Sequence, residues 1–379
     1  MRKVLCLLLI GAAFWGGSSS CTKKLVNDPV ADSIYLGSIP FVMNNNATFS
    51  DFYAALQQTG WVDTLYDTGP YTVLLPNNDA YAGYYGNFTQ QAGGLADYEA
   101  AEVRDGLTLS ASVGYDLLKG RISLRSLPLG MNQEVLSVTG RTHYITRYLD
   151  AAGDTLSAVD GQPVISVDNP ATNGLIQVVA GAVPYPNPYP TVLQQIQNDT
   201  NLTFFAAALQ RAHLDTLLKG AGPFTVLAPV NGSFTNAYFS GGYNLGVNMS
   251  CLDSVLAADP VKLTNLLKYY ILPGRFFLHD FIRQLANPTD TLPLTMLDGN
   301  VVKFTMSYYP YGSLPFLSQE MGTGTLQPTF AGNGNLLNGI YLAGIDDEYF
   351  FTTNSYNKDG ADLTAQNGIV HTIEGALIQ

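Results

Sequence analysis

The chain contains a second, diverged copy of itself, and that repeat limits its possible folds more than any other feature. Phe52 to Tyr81 (FYAALQQTGWVDTLYDTGPYTVLLPNNDAY) aligns with Phe205 to Phe234 (FAAALQRAHLDTLLKGAGPFTVLAPVNGSF) at an offset of about 153 residues. Tyr115 to Leu124 (YDLLKGRISL) aligns with Tyr269 to Leu278 (YYILPGRFFL), and Gly174 to Val183 (GLIQVVAGAV) with Gly368 to Leu377 (GIVHTIEGAL). Three blocks in one order mean a duplicated domain. Between the copies, Pro184-Tyr185-Pro186-Asn187-Pro188-Tyr189-Pro190 supports neither a helix nor a strand ladder, so it reads as a stiff extended linker. The expected domains are therefore residues 33–183 and 191–379, with the linker at 184–190.

Each copy has the same local order. Phe49, Phe52 and Leu56 in the first copy, and Leu202, Phe205, Leu209 and Ala212 in the second, have helical spacing, with Asn201 as a cap. A Gly-Pro turn follows, then an apolar strand at Tyr71–Leu75 or Phe224–Ala228, closed by Pro76 or Pro229. Asn78 and Asn231 stand where they can accept backbone N–H bonds at the start of the next helix. Asn367-Gly368 is a turn signal ahead of a closing strand. The fold class this predicts is α+β with mostly antiparallel pairing.

At the N-terminus, Arg2-Lys3 precedes the apolar run Val4 to Trp15 and then Gly16, Gly17, Ser18, Ser19, Ser20 and Cys21. That order is that of a secretory signal, and the run is too short to span a bilayer. Cys21, followed by polar Thr22-Lys23-Lys24, resembles the lipidation site of a bacterial lipoprotein, although Ser18 stands where such signals prefer Leu. The reading is a signal peptide at 1–20, lipidation at Cys21 and a tether at 21–32. The resemblance implies an outer-membrane lipoprotein at the cell surface or on the periplasmic face, held by its lipid anchor. With Cys6 in the signal and Cys21 lipidated, Cys251 has no intramolecular partner and is expected as a small buried hydrophobe.

The run Gly222-Pro223-Phe224-Thr225-Val226-Leu227-Ala228-Pro229-Val230-Asn231-Gly232-Ser233-Phe234 resembles the first hallmark of fasciclin (FAS1) domains, G-P-F-T-V-F-A-P-T-N-x-A-F. Leu266 to Gly274 (LLKYYILPG) is similar to the family's L-L-x-Y-H-V-x-P-G, and Asn367 to Ile373 (NGIVHTI) to its closing N-G-x-I-H-x-I. Copy one carries a weaker version at Gly69 to Tyr81. The resemblance implies two FAS1-like domains, each a mostly antiparallel β-wedge or sandwich packed with several short helices. It also implies a non-catalytic adhesion or interaction protein with a protein or matrix ligand. The family's Tyr-His pair reads Tyr269-Tyr270 in copy two and Tyr115-Asp116 in copy one, so no imidazole stands there.

Copy two carries extra sequence near 305–349. A structureless loop of that length is unusual, so strands or a purpose are expected of it. One reading is a hydrophobic flap over a sheet edge. The other is a binding surface, because Tyr308, Tyr309, Tyr311 and Phe316 with nearby Asn and Gly form the kind of set that stacks on sugar rings or on protein. Candidate ligand residues are thus Tyr308, Tyr309, Tyr311, Tyr269 and Tyr270. The alternative function is a glycan-binding lipoprotein accessory to polysaccharide uptake; a lipid or pigment carrier is a third.

The remaining signals are negative. With 30 acidic against 18 basic residues the net charge is −12, and no basic cluster follows the N-terminus, so nucleic acid is a poor partner. No nucleophile elbow, H-E-x-x-H, P-loop or dinucleotide glycine fingerprint occurs in register. His143, His213, His279 and His371 are scattered, and Asp346-Asp347-Glu348 lacks the spacing of a calcium loop. No enzyme activity, cofactor or metal is expected.

Overall fold

The hallmark strands are continuous apolar runs because each is buried on both faces at the middle of a sheet. The structure is a computed structural model; it describes residues 37–80, 109–235, 247–309, 325–332, 340–342 and 361–374, less positions 68, 79, 182, 184–185, 187–188, 248 and 286–289. In the first half the strands are β1 (Tyr71–Pro76), β2 (Leu117–Lys119), β3 (Gly130–Leu136), β4 (Thr142–Leu149), β5 (Thr155–Val159), β6 (Gln162–Ala171) and β7 (Gly174–Val179). Their order in the sheet is β2-β1-β7-β6-β5-β4-β3, and every pair is antiparallel except β1 with β7.

The second half repeats the plan with β8 (Phe224–Pro229), β9 (Ile271–Pro273), β10 (Leu292–Thr295), β11 (Val301–Tyr309), β12 (Thr325–Gly332), β13 (Ile340–Leu342), β14 (Leu363–Ala365) and β15 (Gly368–Glu374). Its order is β9-β8-β15-β13-β12-β11-β10, with β14 also paired to β15 and β8–β15 the parallel pair. Position for position this is the first sheet. The closing Gly lies at the tightest point: a Cβ on Gly174 or Gly368 would come within 1.9 or 2.1 Å of the carbonyl oxygen of Tyr71 or Phe224.

The equivalence corrects the reading of 305–349 as a flap. β12 and β13 lie inside the sheet, between β11 and β15, as the counterparts of β5 and β6. β6 runs unbroken from Gln162 to Ala171, whereas its counterpart is split into β13 and β14 by residues 343–362.

Short helices cover one side of each hallmark strand. In the first half Phe52, Leu56 and Leu65, from the helices Ser50–Thr59 and Trp61–Tyr66, pack on Val73, Leu75 and Ile176. Leu74, between them in β1, points the other way, into a cluster with Leu118, Leu124, Ile145 and Val159. In the second half Phe205 and Leu209, from the helix Thr203–Arg211, join Val226, Tyr269, Tyr270 and Phe304 in one core. Asn201 does not cap that helix; Asp199 accepts the Asn201 N–H at the preceding 3-10 turn. Residues 37–379 cluster as one unit, with Tyr144 of the first half, Phe277 and Ile369 of the second sharing a buried contact.

Candidate functional site

The polar hallmark residues face inward and bind backbone. Thr72 Oγ1 donates to Gly120 O and accepts from Ile122 N; Thr225 Oγ1 does the same with Gly274 O and Phe276 N, all at 2.8–3.0 Å. Asn78 and Asn231 hold the helix before them. Their Oδ1 atoms accept from Asp51 N and Phe204 N at 3.2 and 3.0 Å, and their amides donate to Ala47 O and Thr200 O. Asn367 accepts from Val192 N at 2.8 Å and donates to Leu218 O and Gly220 O, and Asn173 holds Ile39 N and Leu65 O in the first copy.

His371 of the closing strand is part of the same scaffold. Its Nε2 donates to Phe276 O at 3.0 Å, and its Nδ1 accepts from Asp362 N at 3.2 Å. Gln177 occupies this place in the first copy, donating to Ile122 O and accepting from Asp168 N. Burial drives His371 down to about 4, against the opposing pull of the Phe276 carbonyl. The ring is therefore neutral, as its one donated and one accepted bond require.

Copy one has an imidazole beside its motif tyrosine after all, supplied by another strand. His143 of β4 stacks on Tyr115 with ring centroids 3.7 Å apart, its Nδ1 2.6 Å from Asp160 Oδ2 and its Nε2 2.7 Å from Tyr115 O. Tyr115 donates its hydroxyl to the same Asp160 oxygen at 2.8 Å. All three side chains are buried, so this is a packed polar knot with no route to a substrate.

The surface that the sequence did not announce is the junction between the copies. Tyr144 and Tyr148, four apart on β4, share one face of the first sheet. The Arg275 guanidinium lies 3.7 Å from the Tyr144 ring centroid, and Arg283 lies 4.6 Å from that of Tyr148. Tyr148 Oη pairs with His279 Nε2 at 2.9 Å, and Asn132 Nδ2 donates to Arg275 O at 2.8 Å. Arg275 also donates to the carbonyls of Ala365, Gln366 and Gly368, so it ties the closing turn of its own domain to a ring of the other. Phe277 packs against Gly161, which has a φ of +80° at the β5–β6 turn and where an added Cβ would lie 2.8 Å from Phe277 Cβ.

A family model described as the fasciclin domain matches residues 47–183 and again 200–314. The chain belongs to the fasciclin family. Among curated proteins it is 27% identical over 203 residues to the transforming growth factor-beta-induced protein ig-h3 of Sus scrofa, a match covering 53% of this chain and 27% of that one. It is 30% identical over 157 residues to protein sll1483 of Synechocystis sp., covering 41% of this chain and 77% of the relative. The match thus spans about a quarter of the length of ig-h3. Among solved structures it is similar to a FAS1 domain pair from the insect cell adhesion molecule fasciclin I, at 15% identity and a TM-score of 0.36, covering 88% of this chain and 98% of that one.

Fasciclin domains are adhesion and interaction modules, and the expected candidate residues divide accordingly. Tyr269 and Tyr270 are fully buried, edge to face at 6.4 Å, and Tyr269 donates its hydroxyl to Val301 O, so neither ring has a face open to a ligand. Tyr308 and Tyr309 end β11, in register with Leu326 and Thr325 of β12. Tyr311 and Cys21 lie outside the described residues, as do Phe316 and Asp346 to Glu348. Cys251, expected inside, is exposed at the N-terminus of the helix Leu252–Ala257, because an N-cap position faces solvent. No group of three metal-ligating side chains occurs among the described residues. The missed junction residues had one trace in the sequence: the aligned blocks diverge at RISLRS against RFFLHD, where the second copy gains aromatic and charged residues.

Proposed function

We propose that this is a non-catalytic adhesion or interaction protein, held outside the cytoplasm by a lipid on Cys21 and presenting a joined pair of fasciclin domains to a protein or matrix ligand. The observation that supports it is the fasciclin pair itself, whose polar hallmark residues are spent on backbone bonds inside each domain. The charged run Arg2-Lys3, the apolar stretch to Trp15 and Cys21 support the anchor. No helix among the described residues is long and apolar enough to cross a membrane. Two measurements test the proposal. Incorporation of a fatty-acid label should be lost in Cys21→Ser, and beads coated with the protein should adhere to one or more immobilised matrix proteins. Retained label in Cys21→Ser removes the anchor; failure to adhere to any surface removes the adhesive role.

The alternative is glycan capture by the aromatic set around Tyr308, Tyr309 and Tyr311, which continues from the end of β11. It predicts retardation by a soluble polysaccharide in affinity electrophoresis, weakened by about 1 to 3 kcal/mol in Tyr308→Ala or Tyr309→Ala, the usual size of a lost aromatic stack. No retardation by any polysaccharide leaves the protein-directed reading in place.

A further inference from the structure

The two copies treat one carboxylate in opposite ways. Asp168 and Asp362 are equivalent: both have left-handed φ, at 58° and 56°, and both accept from the same backbone amide, that of Leu124 or Leu278. In copy one Asp168 also accepts from Ser123 Oγ, Arg125 N and Gln177 Nε2. Burial pushes its carboxyl up, but those bonds outweigh it and hold the group below the usual range. In copy two Phe277 replaces Ser123 and His371 replaces Gln177, which removes both side-chain donors. Asp362 keeps the Leu278 N–H at 2.7 Å, while its Oδ2 is buried without a partner.

The substitution that removed a donor also created the junction. Phe277 is the residue seated against Gly161 and Tyr144 of the other domain. Its flanking backbone is held from behind by two groups, His371 on Phe276 O and Asp362 on Leu278 N. We propose that Asp362 makes the domain junction proton-dependent: its neutral carboxyl keeps Phe277 seated, and ionisation inside this pocket loosens the segment 275–283 from β4.

The charges around Asp362 favour that direction. From the helix Leu278–Ile282 it faces Asp280, which is paired with Arg283 at 3.1 Å and flanked by His279; from β15 it faces neutral His371. From the first domain Asp160, which is bonded to His143, acts on it as a like charge, while Arg275 stacks on Tyr144 and is drawn by Asp160 and Glu134. The basic groups are thus engaged with other acids or rings, and the charges that act on an ionised Asp362 are the like charges of Asp280 and Asp160. Burial first, then Asp280 and Asp160, raises Asp362 to about 8, with the Leu278 N–H opposing. Because the opened segment would let the carboxyl ionise at its ordinary value, the open population rises about ten-fold per pH unit up to the midpoint and levels off above it.

Hydrogen exchange of the full-length chain between pH 6 and 9.5, with labelling times corrected for intrinsic exchange, tests this on peptides covering 142–149 and 274–284. Protection of both is expected to fall together from pH 6 to about 8, about ten-fold per unit, and to level off above that, while β1 and β8 stay protected. Asp362→Asn, which cannot ionise, should remove the pH dependence. His371→Gln, which restores the donor Asp168 has, should lower the carboxyl's pKa and remove the transition near pH 8. Wild-type protection that is flat to pH 9.5 overturns the proposal without any variant, and an unchanged transition in Asp362→Asn assigns it to another group and overturns it too.

Discussion

Replacing Gly161 by Ala tests whether the close approach of the domains is a real energetic contact. Gly161 has a φ of +80°, where an L-residue costs roughly 1–2 kcal/mol. An added Cβ would also lie 2.8 Å from Phe277 Cβ and 3.1 Å from its ring. Those are atoms next to backbone, so relief needs the 275–283 segment to shift, an overpacking cost of about 1–3 kcal/mol. Gly153 separates the two contributions. It turns between β4 and β5 with a φ of +89° and has nothing within 4 Å of a new Cβ, so Gly153→Ala carries the backbone cost alone. In urea unfolding Gly161→Ala should therefore lose more stability than Gly153→Ala, by about 1–3 kcal/mol. Equal losses, within about 0.5 kcal/mol, would mean the domains do not meet here.

Other consequences are as direct. A double-mutant cycle of Arg275→Met and Tyr144→Leu should show a coupling of about 0.5–2 kcal/mol, and additive losses would deny the stacking contact. Thr225→Val keeps the shape but strands the Phe276 N–H and the Gly274 carbonyl, so a loss of about 2–4 kcal/mol is expected in thermal or urea unfolding, and a neutral effect would contradict the hydrogen-bond assignment. His371 and His279 are both depressed to about 4, chiefly by burial, with Arg283 adding to His279. The unfolded chain takes up these protons first, so stability present above about pH 6.5 should be lost as pH falls towards 4. In His371→Gln that acid loss should shrink; an identical pH profile would place the titration elsewhere.

Much of the fold was legible because its signals are local. Gly-Pro followed by an apolar run, a closing Pro and a later Asn-Gly each restrict backbone angles or strand ends within a few residues, and they occur twice. Asn78 and Asn231 show the limit: their type announced a cap, but the helix they hold lies 27 residues earlier in the chain, which the sequence does not state. The same holds for His143, which fills the place beside Tyr115 from 28 residues away. Nor could length alone say that residues 305–309, 325–332 and 340–342 belong to strands inside the sheet, because strand pairing joins residues far apart in the chain.

The sequence by itself determined two copies of one α+β unit, because repeated turn chemistry and strand periodicity act over short distances and survive divergence. Tertiary structure alone decided how the copies meet. Nothing local in the sequence marks Tyr144, Tyr148 or Phe277 as contact residues. Only when β4 is laid against the 275–283 segment does Arg275 find a ring and Phe277 a glycine. Two substitutions strip Asp362 of the donors its twin keeps, and the same packing decides which charges surround it, since the electrostatics of a carboxylate are set by neighbours that the chain brings together from both domains.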